Sequence, residues 1–244
     1  MNPQLRPLFE AATRPYVGAG TFAWRFARGK LRHDPVFFFL LRRGLLPDRE
    51  SLLDLGCGRG ILLSLLKAAK EQYQAGVWPL DWPVPPLNLG LRGIELSESR
   101  VRAARHALGG SARVDLCDLR DTDLPPCSVI VMIDVLFYLD KEEQRRLIEK
   151  AARALEPGGL LLVRETDAAA GFAFQVTKWS EWFAEALRGE FGQQLHYRSA
   201  VQWIAELTGR GFSVRAEPMS EGTPFANVLL VARKGQHQCT PPIR

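Results

Sequence analysis

The stretch Ser51-Leu-Leu-Asp-Leu-Gly-Cys-Gly-Arg-Gly60 decides how the chain is read. An apolar run with one acid, Asp54, passes into a bend with glycine at three alternate positions. The pattern predicts a buried strand over Ser51–Leu55 and a turn whose backbone can approach a ligand closely. A dinucleotide turn needs G-x-G-x-x-G, with a helix N-terminus offered to the pyrophosphate. Here the third glycine falls one place early and Ile61 takes the sixth place. Asp54, two residues before Gly56, would repel a diphosphate and attract a cation. The P-loop pattern G-x-x-x-x-G-K-[ST] does not occur.

Downstream, strands and helices alternate. A helix is expected over Ile61–Lys70, then an irregular loop over 72–89 with four prolines and two tryptophans, Trp78 and Trp82. Strands follow at Leu91–Leu96, Arg113–Cys117, Val129–Asp134 and Leu160–Thr166. Helices are read over Ser99–Leu108 and over Lys141–Leu155, the latter capped by Asp140 with Glu143 and stopped by Pro157-Gly158-Gly159. Residues 172–190 and Val201–Gly209 read as helices, and Phe212–Glu217 with Asn227–Arg233 as an antiparallel pair. Upstream, Asp34-Pro35 starts a short helix over Val36–Arg43, which Gly44 ends. The alternation predicts an α/β fold: a largely parallel sheet with helices on both faces.

Ligands of such sheets sit at the C-terminal strand edge. Acids recur there: Glu95 and Asp134 end the second and fourth strands, and Asp118 follows the third. S-adenosylmethionine, with a sulfonium, an ammonium and one carboxylate, suits the turn and these acids better than a nucleotide. Glu95 can take ribose hydroxyls, and Asp118 can accept from an adenine amino group with Leu119 against the ring. Glu95 lies 39 residues after Gly56 rather than about 20. The excess is the Pro/Trp loop, which enters at the opposite sheet edge and should leave the site intact.

Leu53-Asp-Leu-Gly-Cys-Gly-Arg-Gly60, Gly93-Ile-Glu-Leu-Ser97, Asp118-Leu119 and Leu155-Glu-Pro-Gly-Gly159 resemble the ordered motifs of class I S-adenosylmethionine-dependent methyltransferases. The likeness covers residues 51 to about 166, and the closing hairpin fits the family's last two strands. It implies a Rossmann-like, seven-stranded mixed sheet of order 3-2-1-4-5-7-6 with the last strand antiparallel. It also implies that S-adenosylmethionine binds, leaving S-adenosylhomocysteine, without a metal. The implied cofactor residues are Asp54, Gly56, Cys57, Gly58, Gly60, Glu95, Leu96, Asp118, Leu119 and Asp134. Residues 1–49 would form a basic helical extension or lid, 50–235 the cofactor-binding domain with 72–89 inserted, and 236–244 a polar tail. Many relatives carry His after the fourth strand, where this chain has Tyr138.

Methyl transfer needs positioning more than a universal base, so the acceptor is coded elsewhere. Nucleic-acid amino methyltransferases resemble [DN]-P-P-[YF] after the fourth strand; this chain has Asp134-Val-Leu-Phe-Tyr138. The Pro126-Cys127 pair is read as a loop cysteine ahead of the fourth strand, remote from the cofactor. Tyr138 and Glu165 are the candidate catalytic residues, with Asp167 beside the latter. His33 and His196 read as structural or surface residues. Trp179, Trp182 and Phe183 could wall an apolar acceptor pocket.

The net charge of +5 is concentrated in residues 1–49, which hold nine Lys/Arg against three Asp/Glu. Within them, Tyr16–Arg32 interleaves aromatics with cations, and it bears a fainter resemblance to methyltransferases of aryl-polyene pigment clusters. The expected partner is a small or acyl-carrier-linked, largely apolar, aromatic acceptor. The basic segment would meet an acidic carrier protein or an anionic membrane surface, and nucleic acid is set aside. The readings kept open are a nucleic-acid methyltransferase, a non-catalytic S-adenosylmethionine-binding regulator and, last, a nicotinamide oxidoreductase. Four cysteines without metal-like spacing, no membrane-length apolar run and no cleavable leader imply a cytoplasmic protein.

Overall fold

The computed structural model describes residues 5–48, 51–170, 194–220 and 225–236. The helix expected over 172–190, with Trp179, Trp182 and Phe183, lies outside the described residues, as does most of the tail.

Three helices come first: α1 (Arg6–Thr13), α2 (Thr21–His33) and α3 (Val36–Arg42). The α/β succession follows as β1 (Ser51–Leu55), α4 (Ile61–Gln74), β2 (Gly90–Glu95), α5 (Glu98–Leu108), β3 (Arg113–Leu116), β4 (Cys127–Ile133), α6 (Lys141–Ala154) and β5 (Leu155–Thr166). The chain closes with α7 (Ala200–Thr208), β6 (Phe212–Pro218) and β7 (Asn227–Lys234). The seven strands form one sheet of order β3-β2-β1-β4-β5-β7-β6. β1 to β5 pair in parallel, and β7 runs antiparallel between β5 and β6. Fold class and strand order agree with the sequence reading.

Burial explains why the central strands are apolar throughout. Along β4, Val129 and Val131 face one core while Ile130 and Met132 face the other, as a period of two requires when both sheet faces are covered. The first core also takes Leu8, Phe9, Tyr16 and Leu31 from the N-terminal helices, so these helices are built into the sheet's own packing. α6 and α7 cover the second face, with Trp203 only 1% exposed. The Asp140–Glu143 capping box is present: the Asp140 carboxylate accepts from Glu142 N and Glu143 N, and Glu143 accepts from Asp140 N.

Most strand and helix ends shift by one or a few residues: α4 runs on to Gln74, so 72–74 of the expected loop are helical, and β4 stops at Ile133, one residue before Asp134. α6 stops at Ala154 because Leu155 already pairs with Cys127, so β5 begins before the Pro157-Gly158-Gly159 stop. Cys127 is therefore the first residue of β4 rather than a loop cysteine; it is 2% exposed, and burial pushes its thiol up to about 12. The Pro/Trp loop packs Trp78 on Trp82 and Trp82 on Phe38 of α3. Asp48, ahead of β1, accepts from Leu87 N and Asn88 N ahead of β2. The insertion thus sits at the strand entrances, opposite the glycine turn.

Because Phe9 is 2% exposed in the shared core, Phe9→Ala should cost about 3–5 kcal/mol. Urea unfolding should show the loss in a single transition, whereas an early, separate melting of the N-terminal helices would contradict a common core.

Candidate active site

β1 carries Asp54 to the sheet's C-terminal edge, and the chain then turns on Gly56, Gly58 and Gly60, with φ of 69°, 56° and 72°. That left-handed region favours glycine. At Gly56 packing is equally decisive: a Cβ would lie 2.5 Å from Val135 Cγ2. A Cβ on Gly58 would meet nothing within 4 Å, so here the turn faces open space. Gly56 N and Cys57 N both donate to Ile94 O, at 2.8 and 3.0 Å, which ties the turn to the end of β2. Glu95 braces it from the same side. Its Oε2 accepts from Gly58 N at 2.9 Å and its Oε1 from Ser97 N at 2.8 Å, with Arg100 3.6 Å away.

Asp54 is 4% exposed, and burial, with Glu95 nearby, pushes its carboxyl up to about 8. Neither a hydrogen bond nor a cation from the described residues offsets that shift. A buried acid of this kind favours a cationic visitor. Beyond Glu95, Leu96 is 61% exposed, and Leu116 of β3 is 46% exposed. These apolar surfaces lie at adjacent strand ends. Asp118 follows, gripped by Arg120 through Nε at 3.0 Å and Nη2 at 2.6 Å, contacts that hold its carboxyl below the usual range. Leu119 packs beneath it against the second core.

The ends of β4 and β5 hold the remaining candidates. Asp134 is the one described non-glycine residue with positive φ, at 59°. Its Oδ2 receives Lys30 Nζ of α2 at 3.0 Å and Arg164 Nη2 of β5. The same two cations also reach Asp34, each at 2.8 Å. Glu165 is 1% exposed and accepts from Val135 N at 3.2 Å and Leu136 N at 2.8 Å. Burial nevertheless raises it to about 8, with Asp134 adding to the rise. Glu165 thus fixes the short 3₁₀ turn Leu136–Tyr138, where the Tyr138 ring lies 4.5 Å from that of Phe137. Asp167 is spent on backbone: it accepts from Ala169 N and from Ala200 N at the start of α7. His196 N donates to Phe137 O, and His33 is exposed at the end of α2.

The structure therefore gathers the glycine turn, Asp54, Glu95 and Leu96 on one side, and Asp134, Tyr138 and Glu165 on the other. The Gly56–Val135 contact joins them, and Asp118 with Leu119 lies at the next strand end. Residue-by-residue reading missed Lys30, Asp34 and Arg164. The available signal was an arginine inside the apolar strand Leu160–Thr166, since a buried guanidinium requires acids. It also missed Tyr16, whose hydroxyl donates to Arg59 O in the turn at 2.8 Å, and the stacking of Arg59 on Phe22 and Phe26. Among the described residues no group of three or more His, Cys, Asp or Glu is placed to hold a metal ion.

A family profile described as a methyltransferase domain matches residues 23–217. The chain belongs to this methyltransferase family. Its sheet is the class I, S-adenosylmethionine-dependent form of the fold. Among curated relatives, a carboxy-S-adenosyl-L-methionine synthase of Chromohalobacter salexigens is 32% identical over 132 residues, covering 50% of this chain and 44% of the relative. A protein of the same name from Actinobacillus succinogenes is 30% identical over 131 residues, covering 52% and 48%. The chain thus aligns with about half the length of the curated relatives it matches. Its fold is shared with an O-methyltransferase family protein from Burkholderia thailandensis, at TM-score 0.62 and 18% identity, covering 87% of this chain and 58% of that one. It is likewise shared with magnesium protoporphyrin IX methyltransferase from Synechocystis PCC 6803 with bound SAH, at TM-score 0.58 and 20% identity, covering 88% and 89%.

The Asp54 carboxyl binds its proton more tightly folded than unfolded, so folding takes up a proton between about pH 4 and the folded value of about 8. Its contribution to stability falls as pH rises through that window. Asp54→Asn should accordingly raise the urea midpoint relative to the parent at about pH 9 and leave it unchanged near pH 4. Equal midpoints at both pH values would show that Asp54 is not desolvated.

Proposed function

We propose that this methyltransferase moves a methyl group from S-adenosylmethionine to a small or carrier-linked, largely apolar acceptor of aromatic character, in the cytoplasm. The observation that carries the reading is Asp54: a nearly inaccessible carboxyl, without a partner among the described residues, beside a turn that opens at Gly58. Such a site is complementary to a cation bearing a small zwitterionic end.

The residues present fit S-adenosylmethionine along its length. Asp54 and the Gly56–Gly60 backbone would hold the methionine end, and Glu95 retains carboxylate lone pairs for ribose hydroxyls beside its two backbone donors. Leu96, Leu116 and Leu119 offer apolar surface to a planar base, and Asp118, kept ionised by Arg120, accepts rather than donates. When bound, the cofactor supplies an electrophilic methyl on a sulfonium. The protein's share is orientation and exclusion of water. Glu165, by holding Val135 N and Leu136 N, fixes the turn that bears Tyr138, and Tyr138 orients the acceptor. Tyr138 and Tyr197, both half-buried, flank the buried Phe137 ring at 4.5 and 5.5 Å, and this aromatic cluster beside the end of β4 supports an aromatic acceptor. The three described cysteines are free thiols, in keeping with a reducing compartment.

Calorimetry should find S-adenosylhomocysteine and S-adenosylmethionine binding, weakened at least roughly tenfold by Asp54→Asn, a loss of about 1.4 kcal/mol. The affinity of the parent for S-adenosylmethionine should rise with pH up to about 8, as Asp54 ionises. Labelled methyl should then appear in a phenolic or acyl-carrier fraction of a cell extract. Label in RNA would overturn the acceptor class. A carboxylated sulfonium product, as the relatives' name describes, would overturn methyl transfer itself.

A further inference from the structure

The packing of the fold leaves one face of α2 turned to solvent, with Arg59 its contact from the glycine turn. Ala23, Ala27 and Leu31 are buried, while Lys30 reaches the ends of β4 and β5. The opposite face presents Phe22, Arg25, Phe26, Arg32 and His33, all exposed and, at 3.6 residues per turn, within about 120° of arc. Phe22 is 67% and Phe26 40% exposed, with ring centroids stacked at 6.3 Å. Val17, four residues ahead of the helix, is 60% exposed.

Charge points the same way. α2 contains Arg25, Arg28, Lys30 and Arg32 and no acid. Arg28 faces Glu10 and Lys30 faces Asp34 and Asp134. That leaves Arg25 and Arg32, neither of which forms an ion pair among the described residues, beside the two phenylalanines. The outward face of a surface helix is ordinarily polar. One that mixes aromatics with cations has the composition of a helix lying in a membrane interface, and contiguous exposed apolar surface marks an interaction site.

We propose that this face of α2 docks on an anionic lipid bilayer. Val17, Phe22 and Phe26 enter the boundary between headgroups and acyl chains, and Arg25 and Arg32 meet lipid phosphates. A folded acidic protein would answer the arginines equally well. The stacked pair of outward phenylalanines is what favours acyl chains, and a straight row of side chains along a helix matches a planar surface. Attachment is peripheral, since none of the helices described is long and apolar enough to cross a membrane. Arg59 of the glycine turn lies 4.9 and 4.8 Å from the two ring centroids, so docking sets the turn beside the bilayer. A bilayer-dissolved acceptor could then reach the site without crossing water. That consequence rests on the proposed methyl transfer; the docking does not.

The test is co-sedimentation of the full chain with vesicles of phosphatidylcholine, with and without an equal part of phosphatidylglycerol. The parent should sediment with the anionic vesicles and stay in solution with the neutral ones, with binding reduced at about 0.5 M salt. Arg25→Glu/Arg32→Glu should lower anionic-vesicle binding by roughly tenfold or more while S-adenosylhomocysteine binding by calorimetry is unchanged. Phe22→Ser/Phe26→Ser should weaken vesicle binding even at low salt. A parent that ignores anionic vesicles, or a charge-reversed variant that binds them equally, overturns the proposal. So does capture of an acidic acyl carrier protein through Arg25 and Arg32 in place of vesicles. Vesicle binding and cofactor calorimetry are separate readouts, so either reading can fail alone.

Discussion

A carboxylate withheld from water at the mouth of a parallel sheet is the constraint around which this molecule is arranged. Asp54 lies at the end of the central strand, flanked by Glu95, and burial there works against its charged form. The apolar strands that bury Asp54 also place the glycine turn above it, because Gly56 has room for no side chain against Val135. An ordinary structural acid would be given an arginine. Arginines are supplied freely elsewhere, to Asp115, Asp118 and Asp134, and Asp54 is left open among the described residues. The exception gives the edge its chemical polarity and separates it from the nucleotide sites with similar turns, whose ligands are anions.

The second organising element is the N-terminal segment. Its helices bury Leu8, Phe9, Tyr16 and Leu31 in the same core as α4 and α5. They also reach the working edge twice, once where Tyr16 meets the carbonyl of Arg59 and once where Lys30 and Asp34 join Arg164 and Asp134. The second contact balances two cations against two acids around a guanidinium only 3% exposed. Removing either acid would leave an excess positive charge in a nearly dry place, a larger penalty than the intact cluster carries.

Much of the architecture was legible because burial on both faces imposes a simple pattern. Val129–Ile133 could hardly be anything but a central strand, the succession of strands and helices pointed to a largely parallel sheet, and the family resemblance implied the strand order observed. The cap at Asp140 was readable for a local reason, since donor and acceptor lie three residues apart. Within the site, the acids at the strand ends could be located, but their bonding could not. Asp118 is engaged by a residue two places away, Asp134 by residues from two distant segments, and Glu165 by the amides of another strand's end. Pairings across more than a hundred residues leave no periodic trace, so Lys30 with Asp134 could only emerge from the fold. Cys127 misled for a simpler reason: two prolines before it announce a loop, yet the strand begins immediately after them.

The left-handed twist at Asp134 has a consequence for where the chain can be divided. The carboxylate there is held by one group from the sheet and one from the second helix. A fragment starting at residue 50 would keep every recognisable motif, yet it would lose Lys30, Asp34 and the tyrosine hydroxyl that rests on the turn. Arg164 and Asp134 would then face each other in a wetter, looser crevice. The earlier segment is therefore not an ornament on a self-sufficient catalytic body, and a truncated version would be a chemically different object.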